Sequence, residues 1–313
     1  YGVLQVAGIN QAPSTVRDIS FTLGPRINAA GRVGHALTAA KLLMETDESG
    51  ALELASQLET MNQARRDLDE DLTEEALAQM AEQPPKRCCT VVTGEGWHRG
   101  VLGIVASRLV EHQYCPTIVL SEENEVLTGS ARSVPGVDIH SAIEECSDLI
   151  EQFGGHPMAA GLTLKSENLI AFKKAIEKAI ISQVQGQIPK PTVSYHMAIS
   201  LNDLSPTMYK EFERIGPFGP CNEVPVFMAA EVNTAIPPRT VGHGGRHLKL
   251  VVQSSNNPSH RFEAIGFGMG ERIDEVRAWR TFDIVFTLAR NTYRGRSTLN
   301  LHLRAIRAHR HGT

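Results

Sequence analysis

At 313 residues, with 42% hydrophobic and 21% charged side chains, the chain is long enough for two domains and has the balance of a globular protein, which excludes fibrous and disordered classes. No apolar run approaches the roughly 20 residues that span a bilayer, and the opening YGVLQVAGIN lacks the basic start, apolar core and cleavage site of a signal peptide. Starting on Tyr1, it reads as a mid-protein start, and a soluble chain with no membrane role is expected. The net charge of −4 hides an asymmetry: twelve acids face two bases, Arg65 and Arg66, between Glu45 and Glu82, whereas seven arginines face one acid, Asp283, from Trp279 to Thr313. One end repels phosphate and the other attracts it.

Residues 1–85 read as a linker segment and long connecting helix, with LGPRINAAGR (23–32) a turn-rich stretch before the helix. From Ala36 to Ala81 apolar residues recur at helical spacing with no proline until Pro84, which predicts one long connecting helix or two. Its DLDED run (67–71) reads as a solvated acidic face, because no histidine or second carboxylate motif accompanies it. Over 86–185 the pattern alternates: strands at 88–95, 116–122, 125–134 and 161–166, helices at 101–112, 141–153 and 169–180. That alternation predicts an α/β domain on a mixed sheet. The five cysteines (Cys88, Cys89, Cys115, Cys146, Cys221) form no CxxC pair, so zinc is not expected, Cys88 and Cys89 read as buried thiols, and a reducing cytoplasm is the expected compartment.

The polar, Gln-rich, proline-bearing stretch 182–192 marks a linker. Beyond it, over 190–313, strand-like alternation recurs at 193–200, 225–232, 247–255, 261–268, 281–288 and 297–306, with short helices at 205–215 and 270–278. Five or six strands in so short a span predict a small barrel, and the OB-fold is the form that most often binds single strands. The predicted class is therefore α/β plus β.

Several motifs carry chemistry. TGSARSVPGVDI (128–139) sets Gly129, Ser130, Arg132 and Ser133 at a strand end beside a Pro-Gly turn. A guanidinium offers a planar fork to two phosphate oxygens and a hydroxyl donates a third bond. Ser130 and Arg132, two apart, face one side of the strand. A lone surface arginine beside a turn is the competing reading. In FGGHPMAAG (153–161), Gly154 and Gly155 permit close backbone approach, and His156 can donate to a phosphate oxygen or act as an acid. The alternative is a helix C-cap glycine pair with His156 in the core.

GEGWHRGVLGIVASRL (94–109) leads a glycine-rich turn into a helix whose N–H groups could attract an anion, although Trp97 and His98 serve equally well as core and turn residues. In LGPRINAAGR, Arg26, Asn28 and Arg32 either clamp a nucleic-acid backbone or pair with the acidic helix that follows. NTYRGRSTLNLHLRAIR (291–307) reads as a hairpin whose Tyr293, Arg294 and Arg296 combine a stacking ring with backbone charge.

LGPRINAAGR, GWHRGVLGIVASRL, TGSARSVPGVDI, FGGHPMAAG, ERIGPFGP, and HLKLVV followed by AIGFG occur in an order that resembles the RecJ family of single-strand-specific DNA exonucleases, over nearly the whole chain. The resemblance implies a DHH-associated domain near 86–181, an OB-fold near 190–313 and the connecting helix before them. It further implies a processive 5′-to-3′ exonuclease in recombination and repair. The Mn or Mg ligands of such an enzyme, an Asp-His-His triplet among them, lie in a domain preceding GPRINAAGR, so no metal is expected on this chain. What the resemblance transfers is substrate binding: Ser130 and Arg132 at a 5′-phosphate, His156 beside the cleaved phosphate, and Arg26 on the strand. Single-stranded DNA is the implied ligand, with a helicase or single-strand-binding protein as candidate partner. After GPFG, the run Pro220, Cys221, Asn222, Glu223 departs from the family, in which a glycine before the Asn and a proline after it are usual. Two rival readings are a DHH phosphodiesterase for short oligonucleotides or cyclic dinucleotides, and a non-catalytic single-strand-binding or replication scaffold protein.

Overall fold

Two units make up the chain, the first ending at Pro191 and the second beginning at Thr192. The computed structural model describes residues 2–9, 16–84, 87–219, 221–258, 260–293 and 296–309.

The first unit begins with helices α1 (Gly2–Val6) and α2 (Val16–Asp18), and a π turn over Ile19–Leu23 leads into α3 (Gly24–Val33). The stretch 23–32 is thus helical rather than turn-rich. Pro25 sits in the first turn, where its missing N–H costs nothing, and the fully buried Ala29 and Ala30 let the backbone lie close to its neighbours. The long helical pattern resolves into α4 (Ala36–Met44) and α5 (Glu48–Glu82). The break is built locally. Glu45 Oε1 accepts from the Thr46 and Asp47 amides at 2.8 and 2.9 Å, and Asp47 caps α5 by accepting from Gly50 N at 2.8 Å.

A five-stranded sheet follows, in the order β1-β2-β3-β5-β4, from β1 (Thr90–Glu95), β2 (Thr117–Glu123), β3 (Val126–Arg132), β4 (Gln152–His156) and β5 (Ala159–Lys165). Only β1 and β2 pair in parallel, joined by α6 (Arg99–His112). Helices α7 (Ile139–Glu144) and α8 (Leu169–Val184) belong to one core, with Ile118, Leu127, Leu164 and a fully buried Phe172. Truncating Phe172 to Ala would cost about 3–5 kcal/mol. Helices α5 and α6 build the other core, where Leu72, Leu102 and Val105 meet Val92 and Val119. Trp97 seals its edge. The indole donates to Glu75 Oε2 at 2.8 Å and lies over Gly94, where a Cβ would stand 2.0 Å away.

Two further expectations for this unit need correction. The helix predicted over 141–153 ends at Glu144, and after a 3-10 turn (Ser147–Leu149) the chain becomes β4, so Gly154 and Gly155 lie in a hairpin strand and cap no helix. Only Phe153 of β4 packs against the core, so an edge strand of this kind shows no hydrophobic alternation. In the acidic run 67–71, Asp69 is buried at 0% exposure, because Arg108 reaches it from α6 at 2.7 Å. Cys89, Cys115 and Cys146 are buried, and burial pushes the Cys146 thiol up to about 11, whereas Cys88, expected to be buried, is half-buried and Cys221 is exposed.

In the second unit, β6 (Met197–Ala198) and α9 (Pro206–Ile215) precede β7 (Val226–Thr234), β8 (Arg239–Val241), β9 (His247–Ser254), β10 (Arg261–Gly266), α10 (Ile273–Ala278), β11 (Phe282–Tyr293) and β12 (Arg296–Ala308). The strand expected over 193–200 contracts to β6, and β8 is an extra edge strand. The sheet runs β6-β7-β11-β12-β10-β9-β8, and a further β7–β9 pairing closes β7, β11, β12, β10 and β9 into a five-stranded barrel of OB type. Phe227, Leu250, Phe282, Phe286 and Leu301 fill it. In the loop that departs from the family pattern, Asn222 Nδ2 donates to the Ile215 and Pro217 carbonyls at 3.1 and 3.0 Å.

Candidate nucleic-acid interface

Strand β3 alternates strictly. Leu127 and Ala131 point into the core behind the sheet, so Ser130 and Arg132 share the opposite face, where α6 lies across β2 and β3. The helix comes so close because position 103 is glycine: a Cβ there would stand 2.5 Å from Arg132 Nη2 and 3.1 Å from Ser130 Oγ. Arg132 Nη1 donates to Ser130 Oγ at 2.8 Å and to the Ala131 carbonyl at 2.7 Å, which fixes the guanidinium along the strand end. Burial lowers the Arg132 pKa, and the positive charge of Arg32 lowers it further. Neither arginine has an ion pair among the described residues. Among the described residues Arg32 Nη1 donates to the Gly100 carbonyl, at 3.1 Å. Two like charges without a contacting acid favour an anion between or beside them.

Sheet register extends this face. Ser130 lies opposite Gly161, which lies opposite Gly154, and Arg132 lies opposite Ala159, which lies opposite His156. The two rows span three strands, so the Arg132 and His156 backbones are about 10 Å apart. Between them the floor carries no side chain larger than that of Ala159. Gly154, His156 and Gly161 are exposed. His156 Nδ1 accepts from Met158 N at 3.3 Å, which leaves Nε2 directed away from the hairpin turn. Gly155 has φ +152°, and a Cβ there would stand 2.3 Å from the Ala159 carbonyl oxygen, so the tight hairpin requires glycine.

The other expected residues are distributed differently. Arg26 is buried at 8% exposure, ion-paired with Glu59 and donating to the Thr22 carbonyl at 2.8 Å. Of the two readings open for that arginine, pairing with the acidic helix is the one found. Asn28 is exposed on α3. Ser133 is buried, and its hydroxyl donates to the Val137 carbonyl at 2.8 Å within the Pro-Gly turn, away from the open face. His98 caps α6, its Nδ1 accepting from Gly100 N at 3.1 Å. Arg294 lies outside the described residues, as do the side chains of Tyr293 and Arg296, whose backbones pair across β11 and β12.

Sequence reasoning missed a second network beside this face. Asp69 Oδ2 accepts from Arg108 at 2.7 Å and Arg65 at 3.4 Å, and Arg65 also donates to Asn62 Oδ1 at 2.9 Å. Burial raises the Asp69 carboxyl, against the pull of Arg108 and Arg65, and burial lowers Arg65. Gly103 signals instead the close approach of α6 to Arg132 and Ser130, because glycine in a helix interior costs about 1 kcal/mol and implies a close neighbour. Among the described residues no three His, Cys, Asp or Glu side chains converge to hold a metal ion. No helix among them is long and apolar enough to cross a membrane.

Comparison with known proteins agrees with this architecture. Residues 86–182 match the DHHA1 domain model and residues 195–305 the RecJ OB domain model. The single-stranded-DNA-specific exonuclease RecJ of Bacillus subtilis is 30% identical over 94% of this chain and 37% of its own length. That of Haemophilus influenzae is 27% identical over 95% of this chain and 53% of its own length. The chain thus spans from about a third to about half of the curated relatives it matches. The crystal structure of RecJ in complex with Mn2+ from Thermus thermophilus superposes with a TM-score of 0.82, at 24% identity, over 99% of this chain and 44% of that one. A structure of exonuclease RecJ bound to manganese gives 0.52 at 29% identity, over 58% of this chain and 46% of that one. Residues 86–182 are therefore a DHHA1 domain, residues 195–305 are a RecJ OB domain, and the chain as a whole is RecJ-like.

Proposed function

We propose that this chain is the substrate-binding portion of a RecJ-like 5′-to-3′ exonuclease that hydrolyses single-stranded DNA in recombination and repair, in a reducing cytoplasm. One observation carries the reading. Arg132, half-buried and without an ion pair among the described residues, shares an open, small-residue sheet face with Ser130, Gly154 and His156.

In this reading the Arg132 guanidinium and the Ser130 hydroxyl hold the 5′-terminal phosphate, with Arg32 adding charge and Asn28 lying farther along α3. Gly161 and Gly154 let the strand approach the backbone. His156 Nε2 lies beside the scissile phosphate, where it donates a hydrogen bond to a non-bridging oxygen and offsets charge developing there. Tyr293, Arg294 and Arg296 hold the strand farther from its end, with a salt slope of about 0.7 per phosphate neutralised. In such enzymes a Mn or Mg ion activates water, and this reading assigns the described residues no part in holding it. This chain's share of the reaction is to bind and orient the substrate. A helicase or a single-strand-binding protein is the partner class that would supply such substrate.

Fluorescence anisotropy with one oligonucleotide, carrying either a 5′-phosphate or a 5′-hydroxyl, tests the reading at two salt concentrations. Tighter binding of the phosphorylated strand is expected. Equal binding of the two would reduce the chain to a generic strand-binding module.

A further inference from the structure

Phe267 follows the last residue of β10 and is 55% exposed, although it lies in the AIGFG motif to which the reading above gives no role. Its ring is not loose. The imidazoles of His247 and His302 each lie 5.3 Å from it, centroid to centroid, at interplanar angles of 73° and 88°. Both are edge-to-face arrangements, the geometry aromatic quadrupoles favour. His247 is itself held: its Nδ1 accepts from Gly268 N at 3.1 Å, and Gly242, at φ +83°, leaves room that a Cβ would fill at 2.8 Å from Cδ2.

The surrounding positions come from the register of β8, β9, β10 and β12. Lys249 lies opposite both Arg239 and Ile265, and Ile265 pairs with His302. These residues alternate with the core residues Leu248, Leu250, Ala264 and Leu301, so they occupy the outer face of the barrel. Arg239, Arg246 and Arg304 are exposed and form no ion pair among the described residues, and Glu263 is held by Lys249 at 3.0 Å. A fixed ring open to solvent, with Ile265 beside it but lysine, arginines and glycines at the neighbouring positions, matches a base between phosphates better than a protein partner's apolar anchor.

We propose that Phe267, braced by His247 and His302, is a stacking platform for one unpaired base of single-stranded DNA, with Arg239, Arg246 and Arg304 serving the flanking phosphates. The proposal rests on the strand-binding reading and adds to it the surface on the OB barrel where a base is held. A face-on ring contact tolerates every base, so the platform contributes affinity without sequence preference.

The test is anisotropy of the 313-residue chain with a fluorescein-labelled oligothymidylate, comparing wild type with Phe267→Ala, Phe267→Leu and Phe267→Trp. Alanine and leucine should weaken binding about 5- to 150-fold, and tryptophan should bind as tightly as wild type or more so. A strand carrying 2-aminopurine should lose fluorescence on binding to wild type and keep it with Phe267→Leu. Wild-type binding that survives Phe267→Ala or Phe267→Leu unchanged overturns the platform alone. Absence of binding by wild type overturns the strand-binding reading as well.

Discussion

Gly103 of α6 faces the guanidinium of Arg132 so closely that an alanine methyl at 103 would stand 2.5 Å from Nη2. The group in the way is the far end of a flexible side chain, so Gly103→Ala should displace Arg132 rather than the helix. Helix propensity gains about 0.5–1 kcal/mol from the same change. The expected outcome is an unchanged or slightly raised melting temperature together with a reduced preference for a 5′-phosphorylated strand. Calorimetry and anisotropy on one variant check both halves, and an intact preference would show that Arg132 does not read the strand end.

Arg132→Ala should weaken binding of a 5′-phosphorylated strand by about 1.5–3 kcal/mol, the value of a hydrogen bond to a charged group. Binding of the 5′-hydroxyl strand should change far less. Arg132→Lys should restore charge without the planar fork and recover only part of the loss. Titrations of all three proteins against both strands decide this, and equal losses on the two strands would count against an end-specific contact.

Asp69 joins α5 to α6 through Arg65 and Arg108. Asp69→Ala leaves Arg65, whose side chain is 14% exposed, with a buried charge and no carboxylate. The expected loss is about 3 kcal/mol of stability in the first unit. Urea unfolding followed by Trp97 fluorescence in a Trp279→Phe background measures it. A loss under about 1 kcal/mol, the usual value of an exposed pair, would mean that the network is solvated in solution.

Asp138 caps α7, and its carboxyl is held below the ordinary range chiefly by the Ser141 amide N–H, with a bond to Asp138 Oδ1 of 3.0 Å. A carboxyl depressed in the folded state contributes stability above its unfolded value of about 3.9, and that contribution disappears as pH falls through the folded value. Asp283 adds to the same window in the second unit. Burial pushes its carboxyl up, but His309, the Glu231 amide and Arg307 outweigh burial and hold it low. Asp138→Asn should keep the cap and flatten the acid limb of the stability curve, whereas Asp138→Ala should cost about 1 kcal/mol at neutral pH. Urea midpoints taken from neutral pH down to about pH 3 distinguish the two variants. Parallel acid limbs in wild type and Asp138→Asn would contradict the assignment.

Much of the fold was legible because it rests on local periodicity. Alternation identified β1, β2, β3 and β5 and the barrel strands, and helical spacing identified α5, α6 and α8. Strand β4 was not legible, since two glycines and an edge position leave only Phe153 facing the core. Arg26 and Arg132 illustrate the limit for the site. Each is an arginine in a small-residue motif, yet one is paired with Glu59 and the other has no ion pair among the described residues. Residue type cannot separate them, because the difference lies in which distant carboxylate is within reach.

The sequence by itself determined the segment order, the α/β unit followed by a barrel, and the motifs that mark a RecJ-like chain, since these depend on neighbours within a few positions. Only the tertiary structure decided which motif residues share a face. Strand β5 inserts between β3 and β4, and that non-consecutive order sets Arg132 and His156 on one face across a floor of glycine and alanine. Strand register is a long-range property fixed by the packing of both cores, and no local pattern encodes it.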